Sequence, residues 1–220
     1  MKIKLHPSDQ QLTLFAQGQA APGESLIISA HVDMCPVCQK RMANVEMALA
    51  EQVLTEQSPL PDRQMQDMLA QILATPQAST TPAEVHYLEL DGKHFALPRS
   101  LQRYASKING WSHMVGKLWQ ARVDLGIHGR ADFIYMEKGG SVPEHTHRGH
   151  ELTLVLDGEF SDGKGHYDTG DFICCDGQHT HSPRTDADEG CLVFSVLDQP
   201  LHFTSGLARL LNPFSHLFFK

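Results

Sequence analysis

Residues 139–158 read GGSVPEHTHRGHELTLVLDG, and this stretch decides the fold of the second half of the chain. His145 and His147 are two residues apart, so on a β-strand both side chains point to the same face. Glu151 precedes an apolar run at 152–156 that has the length of a strand. We expect its carboxylate to face the same cavity, since imidazoles with one carboxylate suit a divalent first-row metal ion. The stretch therefore predicts neighbouring strands that share a metal site.

The spacing Gly139-x5-His145-x-His147-x3-Glu151-x6-Gly158 resembles the first motif of the cupin family at every fixed position. The resemblance implies a cupin β-sandwich or jelly roll. Other short, strand-like segments separated by Gly, Asp and Asn turns agree with it. They lie near 117–123, 131–137, 171–175 and 192–197. Cupins include dioxygenases, isomerases and non-enzymatic sensors, so the fold by itself does not identify an activity.

The second cupin motif begins at Gly170-Asp171, and His181 falls at the position of its metal ligand. The motif is degenerate, because three residues replace the usual proline, glycine and asparagine: Asp176, Gln178 and Thr185. His179 is therefore an alternative fourth ligand and His150 is nearby, although we favour His181. The resemblance implies zinc, but three histidines and a carboxylate also accommodate iron, manganese or nickel. A jelly roll in which these histidines bind no metal is the remaining alternative.

The first half of the chain has the periodicity of α-helices. Ser8 or Asp9 can cap a first helix, Pro22-Gly23 interrupts the chain, and Pro36 suits the first turn of a third helix. We expect four helices before residue 75, followed at 75–82 by a linker rich in proline, serine and threonine. The fold class is thus multidomain α + β. We expect an all-α domain over 1–75, a linker and lead-in over 76–97, and the cupin domain over 98–220.

The fourth predicted helix carries methionine, leucine and isoleucine at helical spacing, at positions 65, 68, 69, 72 and 73. Packing against the other helices is the simplest explanation of this stripe. The alternative is an adaptable groove for a protein partner, because methionine side chains fit irregular surfaces.

A second metal-binding pattern lies where the second and third helices meet, because His31, Cys35 and Cys38 form His-x3-Cys-x2-Cys. The Cys-Pro-x-Cys turn places both sulfurs near a helix N-terminus, whose dipole favours the thiolate that binds metal. Three ligands leave one position open on a tetrahedral Zn²⁺, and His6 is the available fourth. A redox Cys-x-x-Cys motif is the alternative, but it normally accompanies a βαβ unit, which the sequence does not predict.

This ligand pattern, inside a short four-helix domain and preceded by His6-Pro7-Ser8-Asp9, resembles the zinc-binding anti-sigma domain. With a single cupin domain after it, the chain resembles the ChrR-type anti-sigma factors over nearly its whole length, including 148–156 and 210–214. The resemblance implies that the helices bind an extracytoplasmic-function (ECF) sigma factor and cover its contacts with core RNA polymerase. It also implies release in response to singlet oxygen or organic peroxide, with the cupin domain taking part.

Composition favours a protein partner over a nucleic acid. The 220 residues include 18 basic and 26 acidic side chains, a formal net charge of −8, whereas direct nucleic-acid binding usually needs a basic face. An acidic protein can complement the basic surfaces with which a sigma factor contacts DNA. The 14 histidines indicate metal coordination. No secretory signal and no apolar run of about 18 residues is visible, so we expect a cytoplasmic protein without a membrane span.

We accordingly expect a regulator that is not an enzyme. The alternative is a metal-dependent cupin enzyme, such as a dioxygenase, with a helical accessory domain. Cys174, Cys175 and Cys191 are expected to be buried as small apolar side chains. The alternative for them is that one senses an oxidant, because an accessible thiolate is readily oxidised.

Overall fold

The structure is a computed structural model that describes residues 2–55, 62–76, 87–108, 110–114, 117–125, 130–206, 209–210 and 212. Its helices are α1 (Asp9–Ala16), α2 (Pro22–Met34), α3 (Pro36–Thr55), α4 (Asp62–Ala74) and α5 (Arg99–Ala105). Its strands are β1 (Tyr87–Leu90), β2 (Lys93–Ala96), β3 (Ser112–Met114), β4 (Leu118–Val123), β5 (Arg130–Met136), β6 (His145–His147), β7 (Glu151–Ser161), β8 (His166–Asp168), β9 (Phe172–Cys175), β10 (Cys191–Leu197) and β11 (Leu201–Phe203). The combination of an N-terminal helical part with a C-terminal antiparallel β part confirms the predicted fold class.

The four predicted helices are α1 to α4, and their N-termini follow the local chemistry. Ser8 caps α1 in a capping box, in which its hydroxyl accepts a hydrogen bond from the Gln11 amide while the Gln11 side chain accepts from the Ser8 amide. The sequence predicts a second helix from Glu24 to about Met34, and helix α2 begins two residues earlier, at Pro22, because the fixed φ of proline suits the first turn. The sequence also predicts that the third helix stops at Ser58-Pro59, which lies outside the described residues.

The β part is built around a seven-stranded antiparallel sheet. Its strands lie in the order β3-β4-β5-β10-β7-β8, and β9 also pairs with β7. Strands β6 and β11 form a separate pair, and β1 and β2 form a hairpin within the predicted lead-in. The sequence did not indicate this hairpin, α5 or the shortest strands, because segments of three or four residues show too little periodicity.

Strand β7 is buried on both faces, which explains its continuous apolar run. One face includes Leu154 and packs in a hydrophobic cluster that contains Leu26 and Ile28 of α2 and Phe194 of β10. The opposite face includes Val155 and belongs to a second cluster inside the β part. Helix α2 therefore lies directly against the sheet, and the helical and β parts share one hydrophobic core.

The junction between the two parts was predicted to be a flexible linker over 75–82. Only residues 75 and 76 of that segment are among the described residues. Among the helices that the structure describes, none combines the length and apolar character required to cross a membrane.

Candidate metal centres

The first cluster forms where the N-terminal segment meets the junction of α2 and α3. His6 precedes α1, His31 lies in the last turn of α2, and Cys35 and Cys38 flank the start of α3. One ligand atom from each of the four residues lies within 4.8 Å of all the others. The structure therefore brings together all four side chains that the sequence singled out.

The spacing of these atoms fits a tetrahedral metal ion. His6 Nδ1 lies 3.4 Å from His31 Nε2, 3.4 Å from Cys35 Sγ and 3.5 Å from Cys38 Sγ. Tetrahedral zinc, with Zn–S of about 2.3 Å and Zn–N of about 2.0 Å, separates its ligand atoms by about 3.3–3.8 Å. The donor set of two imidazoles and two sulfurs is also one that zinc accepts, so this cluster could hold a metal ion.

The tautomer of His31 leaves the correct nitrogen available. His31 Nδ1 lies 2.9 Å from the carbonyl oxygen of Gly170, which only accepts, so Nδ1 carries the proton and donates it. Nε2 is then unprotonated and faces His6 and the cysteines. Burial lowers the pKa of the His31 imidazole to about 4, which keeps the ring neutral at physiological pH.

The Cys38 thiol of this cluster differs from the expectation for a helix N-terminus. Burial raises the pKa of Cys38 to about 11, and the neighbouring Cys35 contributes in the same direction. The expected lowering by the helix dipole is therefore outweighed in the metal-free chain. Arg41 opposes the shift, since its guanidinium donates to Cys38 Sγ at 3.5 Å. Metal binding at this site must consequently displace the Cys38 proton.

The second cluster lies inside the β part and comprises His145, His147, Glu151 and His181. His181 Nε2 is 2.9 Å from His145 Nε2 and 3.1 Å from His147 Nε2. Glu151 Oε2 is 3.1 Å from His147 Nε2. The three histidines are buried, and three imidazole nitrogens and one carboxylate oxygen converge on one point. This arrangement could hold a divalent transition metal.

Residues that the sequence did not single out orient this second cluster. Glu151 Oε1 accepts hydrogen bonds from Ser195 Oγ at 2.8 Å and from Thr153 Oγ1 at 3.0 Å. Glu151 Oε2 has no hydrogen-bond donor among the described residues and is left facing the imidazoles. His145 Nδ1 donates to the carbonyl oxygen of Pro143 at 2.8 Å, which frees its Nε2 in turn. Strand alternation could have indicated Thr153, two residues after Glu151, but Ser195 lies 44 residues away.

The two alternative histidines are directed elsewhere. His179 is exposed, and its Nδ1 pairs with Asp176 Oδ1 at 2.7 Å. His150 is also exposed, and its Nδ1 lies 3.4 Å from Asp198 Oδ2. His181, in contrast, is buried between the other two imidazoles, and burial lowers its pKa to about 4. The geometry thus favours His181 over both alternatives as the fourth ligand.

The remaining cysteines are free thiols that differ in exposure. Cys175 and Cys191 are buried as expected, whereas Cys174 is exposed, because successive β9 side chains point to opposite faces. Burial raises the pKa of all three thiols, to about 12 for Cys175. A raised pKa disfavours the thiolate, so none of the three has the character of an activated cysteine.

Helix α4 presents an apolar surface to solvent. All described side chains of α4, from residue 63 to 74, are exposed. The exposed fraction is 61% for Ile72 and 53% for Leu69. The large apolar residues fall on one stripe: Met65, Met68, Leu69, Ile72 and Leu73. The end of α3 adds Val53 and Leu54, both exposed. The simplest explanation of the methionine stripe, packing against the other helices, is therefore wrong for these residues. An exposed apolar surface of this kind indicates that a partner binds there.

Comparison with known proteins finds similarity to ChrR proteins in both the helical and the β parts of the chain. Residues 128–200 match the family model described as the ChrR cupin-like domain. The anti-sigma-E factor ChrR of Cereibacter sphaeroides is 29% identical over 226 residues, which cover 97% of this chain and 99% of that protein. The relationship therefore extends through the helical part as well as the β part.

A solved structure supports the same relationship at the level of the fold. In the crystal structure of Rhodobacter sphaeroides SigE in complex with the anti-sigma ChrR, the matched chain superposes with a TM-score of 0.67 and 26% identity. The match covers 90% of the present chain and 100% of that chain. The structural match thus extends over both the helical and the β parts of the chain.

Proposed function

Because the chain is a relative of the anti-sigma factor ChrR along nearly its entire length, we propose that it binds and inhibits an ECF sigma factor. The sigma factor is the partner, and the effect is negative regulation of transcription without direct contact to nucleic acid. The net charge of −8 supports this partner, since a sigma factor exposes basic surfaces for DNA.

The observation that carries the proposal is the exposed apolar stripe of α4. A helix with five large apolar side chains on one face normally buries that face, and α4 leaves it open. An amphipathic helix that docks into a groove of its partner uses anchors at this i, i+3, i+4, i+7 spacing. We assign α4 and the end of α3 as the main contact with the sigma factor.

The helical metal centre serves this function by holding α1, α2 and α3 together. Two of the candidate ligands flank the start of α3 and a third lies in α2, so one ion bound to them would fix the angle between the two helices. In so small a helical unit, the free energy of zinc binding contributes directly to folding. We propose Zn²⁺ at His6, His31, Cys35 and Cys38 on the basis of this donor set.

The sigma-factor contact can be tested with two charge-matched double variants of α4. Leu69→Glu with Ile72→Glu places two carboxylates on the apolar stripe, whereas Ala70→Glu with Gln71→Glu adds the same two carboxylates outside it. All four side chains are exposed, so both proteins should fold with the thermal stability of the unmodified chain. The stripe variant should lose about 2 kcal/mol or more of binding free energy towards the sigma factor captured from the native host. Equal affinities of the two variants would contradict the assignment.

The cupin cluster is proposed to govern release rather than binding. Its His145, His147, Glu151 and His181 side chains could hold zinc or another divalent metal, and oxidative damage by singlet oxygen or peroxide would alter it. If a His145→Ala, Glu151→Ala protein still released the sigma factor under singlet oxygen, the cluster would have no role in signalling. Oxygen consumption or substrate turnover by the Fe²⁺-loaded chain would instead favour the alternative of a cupin enzyme.

A further inference from the structure

Two of the four ligands in the helical cluster are held by a single segment of the cupin part, residues 168–172, termed here the β8–β9 turn. Its Gly170 carbonyl accepts the Nδ1 proton of His31 at 2.9 Å. Phe172 lies edge-on to the same imidazole, with 5.7 Å between ring centroids. His31 is fully buried by these contacts, so its ring orientation is set by the cupin part as well as by α2.

The segment that leads into His6 is held by the same turn. The carboxylate of Asp171, itself fully buried, accepts hydrogen bonds at Oδ1 from the amides of Lys4 at 2.6 Å and Leu5 at 3.0 Å. The amide of Phe172 donates to the Leu5 carbonyl at 3.1 Å. Both backbone polar groups of the residue before His6 are therefore paired with the β8–β9 turn.

Further contacts hold Ile3 and Lys4, in the segment before His6, against the β8–β9 turn and the adjacent strand β8. Lys4 Nζ lies 2.8 Å from Asp168 Oδ2 and donates to the His166 carbonyl at 2.8 Å. Gly170 has a φ of +92°, and a Cβ built on it would lie 2.6 Å from Ile3 Cδ1. Only glycine permits both this backbone conformation and this close contact.

We propose that the β8–β9 turn is the outer coordination sphere of the helical metal centre, so that the cupin part determines how tightly the helical part holds its metal. The inference rests on the proposal that a metal ion occupies His6, His31, Cys35 and Cys38. Outer partners fix the tautomer and orientation of ligand histidines, and their loss typically costs 10- to 100-fold in metal affinity. Asp171 acts here as a positioning residue, since it touches no ligand atom and acts through the backbone before His6.

The same turn leads directly into β9, which extends to the cupin cluster. Phe172, at the start of β9, contacts His31, and Cys175, at its end, pairs in register with Glu151 of β7. The two ends of β9 are three positions apart, a distance of about 10 Å along a strand. Strand β9 thus joins the residue that contacts His31 to the residue that pairs with Glu151.

The test uses the full-length chain loaded with Co²⁺, because thiolate-to-cobalt charge-transfer absorption reports only the centre that contains Cys35 and Cys38. The rate at which excess chelator abolishes this absorption is compared between variants. Asp171→Ala removes the acceptor for the Lys4 and Leu5 amides and also for the Asp168 amide inside the turn. Asp198→Ala removes an exposed carboxylate that accepts the His150 amide at 2.7 Å and controls for the loss of an aspartate in the same domain. Lys4→Pro removes one donor amide, and Lys4→Ala controls for the lost side chain.

Asp171→Ala should lose cobalt about tenfold faster or more than the unmodified chain, and Lys4→Pro about tenfold faster or more than Lys4→Ala. Asp198→Ala should stay within about twofold of the unmodified chain. If Asp171→Ala fails to fold, Lys4→Pro against Lys4→Ala decides, because this change lies in the segment before α1. A normal thiolate band with unchanged release rates would overturn the outer-sphere assignment alone. Absence of the thiolate band from the unmodified chain would overturn both this assignment and the metal centre itself.

Discussion

Cys175 in β9 lies directly opposite Glu151 in β7, in register within the antiparallel pair. Burial raises the pKa of the Cys175 thiol to about 12, and the negative charge of Glu151 contributes in the same direction. A thiol so placed is held in its protonated form beside a proposed metal ligand. Its position gives the cupin cluster a sulfur neighbour that is not itself an activated nucleophile.

The first prediction concerns this pair of vicinal cysteines. Under native conditions at neutral pH, iodoacetamide should modify Cys174 first, because Cys174 is exposed whereas Cys175 is buried with a strongly raised pKa. Peptide mass spectrometry over a time course measures both sites, with the urea-unfolded chain as the control in which they should react alike. Faster modification of Cys175 than of Cys174 in the folded chain would contradict the prediction that Cys174 is the exposed and more reactive thiol.

The second prediction concerns the helical metal centre. Replacing Cys35 and Cys38 with serine should remove one equivalent of zinc, reduce the helical circular dichroism signal and abolish capture of the sigma factor. Metal binding contributes to the folding free energy, so its loss should destabilise the helical part, although the core that this part shares with the β part remains. Cys174→Ser is the matched control and should keep both the metal and the partner. Unchanged capture by the double variant would refute a structural role for the metal.

The third prediction concerns the stability of the metal-free chain in mild acid. His31 has a folded-state pKa of about 4 against an ordinary value of 6.5, so between these values the unfolded chain binds more protons. Stability must therefore fall as pH falls through this window, by roughly 2 kcal/mol at pH 5 for this one group. His181 is shifted in the same direction.

Denaturant titrations of the chelator-treated protein at pH 7 and pH 5 measure this loss. A His31→Gln variant, which has no titrating group at this position, should show a correspondingly smaller pH dependence. The prediction fails if the metal-free protein is equally stable at both values.

The fourth prediction separates the two candidates for the last cupin ligand. His181→Ala should lower the metal content by about one equivalent, since His181 lies between His145 and His147. His179→Ala should leave the metal content unchanged, because its imidazole is exposed and paired with Asp176. Elemental analysis of both purified variants provides the measurement. Loss of metal from the His179 variant alone would reverse the assignment.

Much of both candidate centres could be predicted because their ligands follow local geometry. His145 and His147 share a strand face, and Cys35 and Cys38 share a helix start, so spacing alone groups them. His6 is predicted as the available histidine just before the first helix and His181 by its position in the second cupin motif, and the structure brings each to its cluster.

What the sequence left open depends on tertiary packing. The contact between His31 and Gly170 joins residues 139 positions apart, and Ser195 reaches Glu151 across 44 positions. Neither partner belongs to a motif that spacing can detect. The raised pKa of Cys38 was also missed, because the helix dipole is visible in the sequence whereas burial is not.

The open stripe of α4 has a consequence for the lifetime of the protein. A free chain exposes Met65, Met68, Leu69, Ile72 and Leu73 together, and such surfaces favour self-association and attract quality-control proteases. A chain without its partner should therefore be short-lived in the cell. Each bound sigma factor would thus protect its own inhibitor from turnover, and the abundance of the two proteins would be matched.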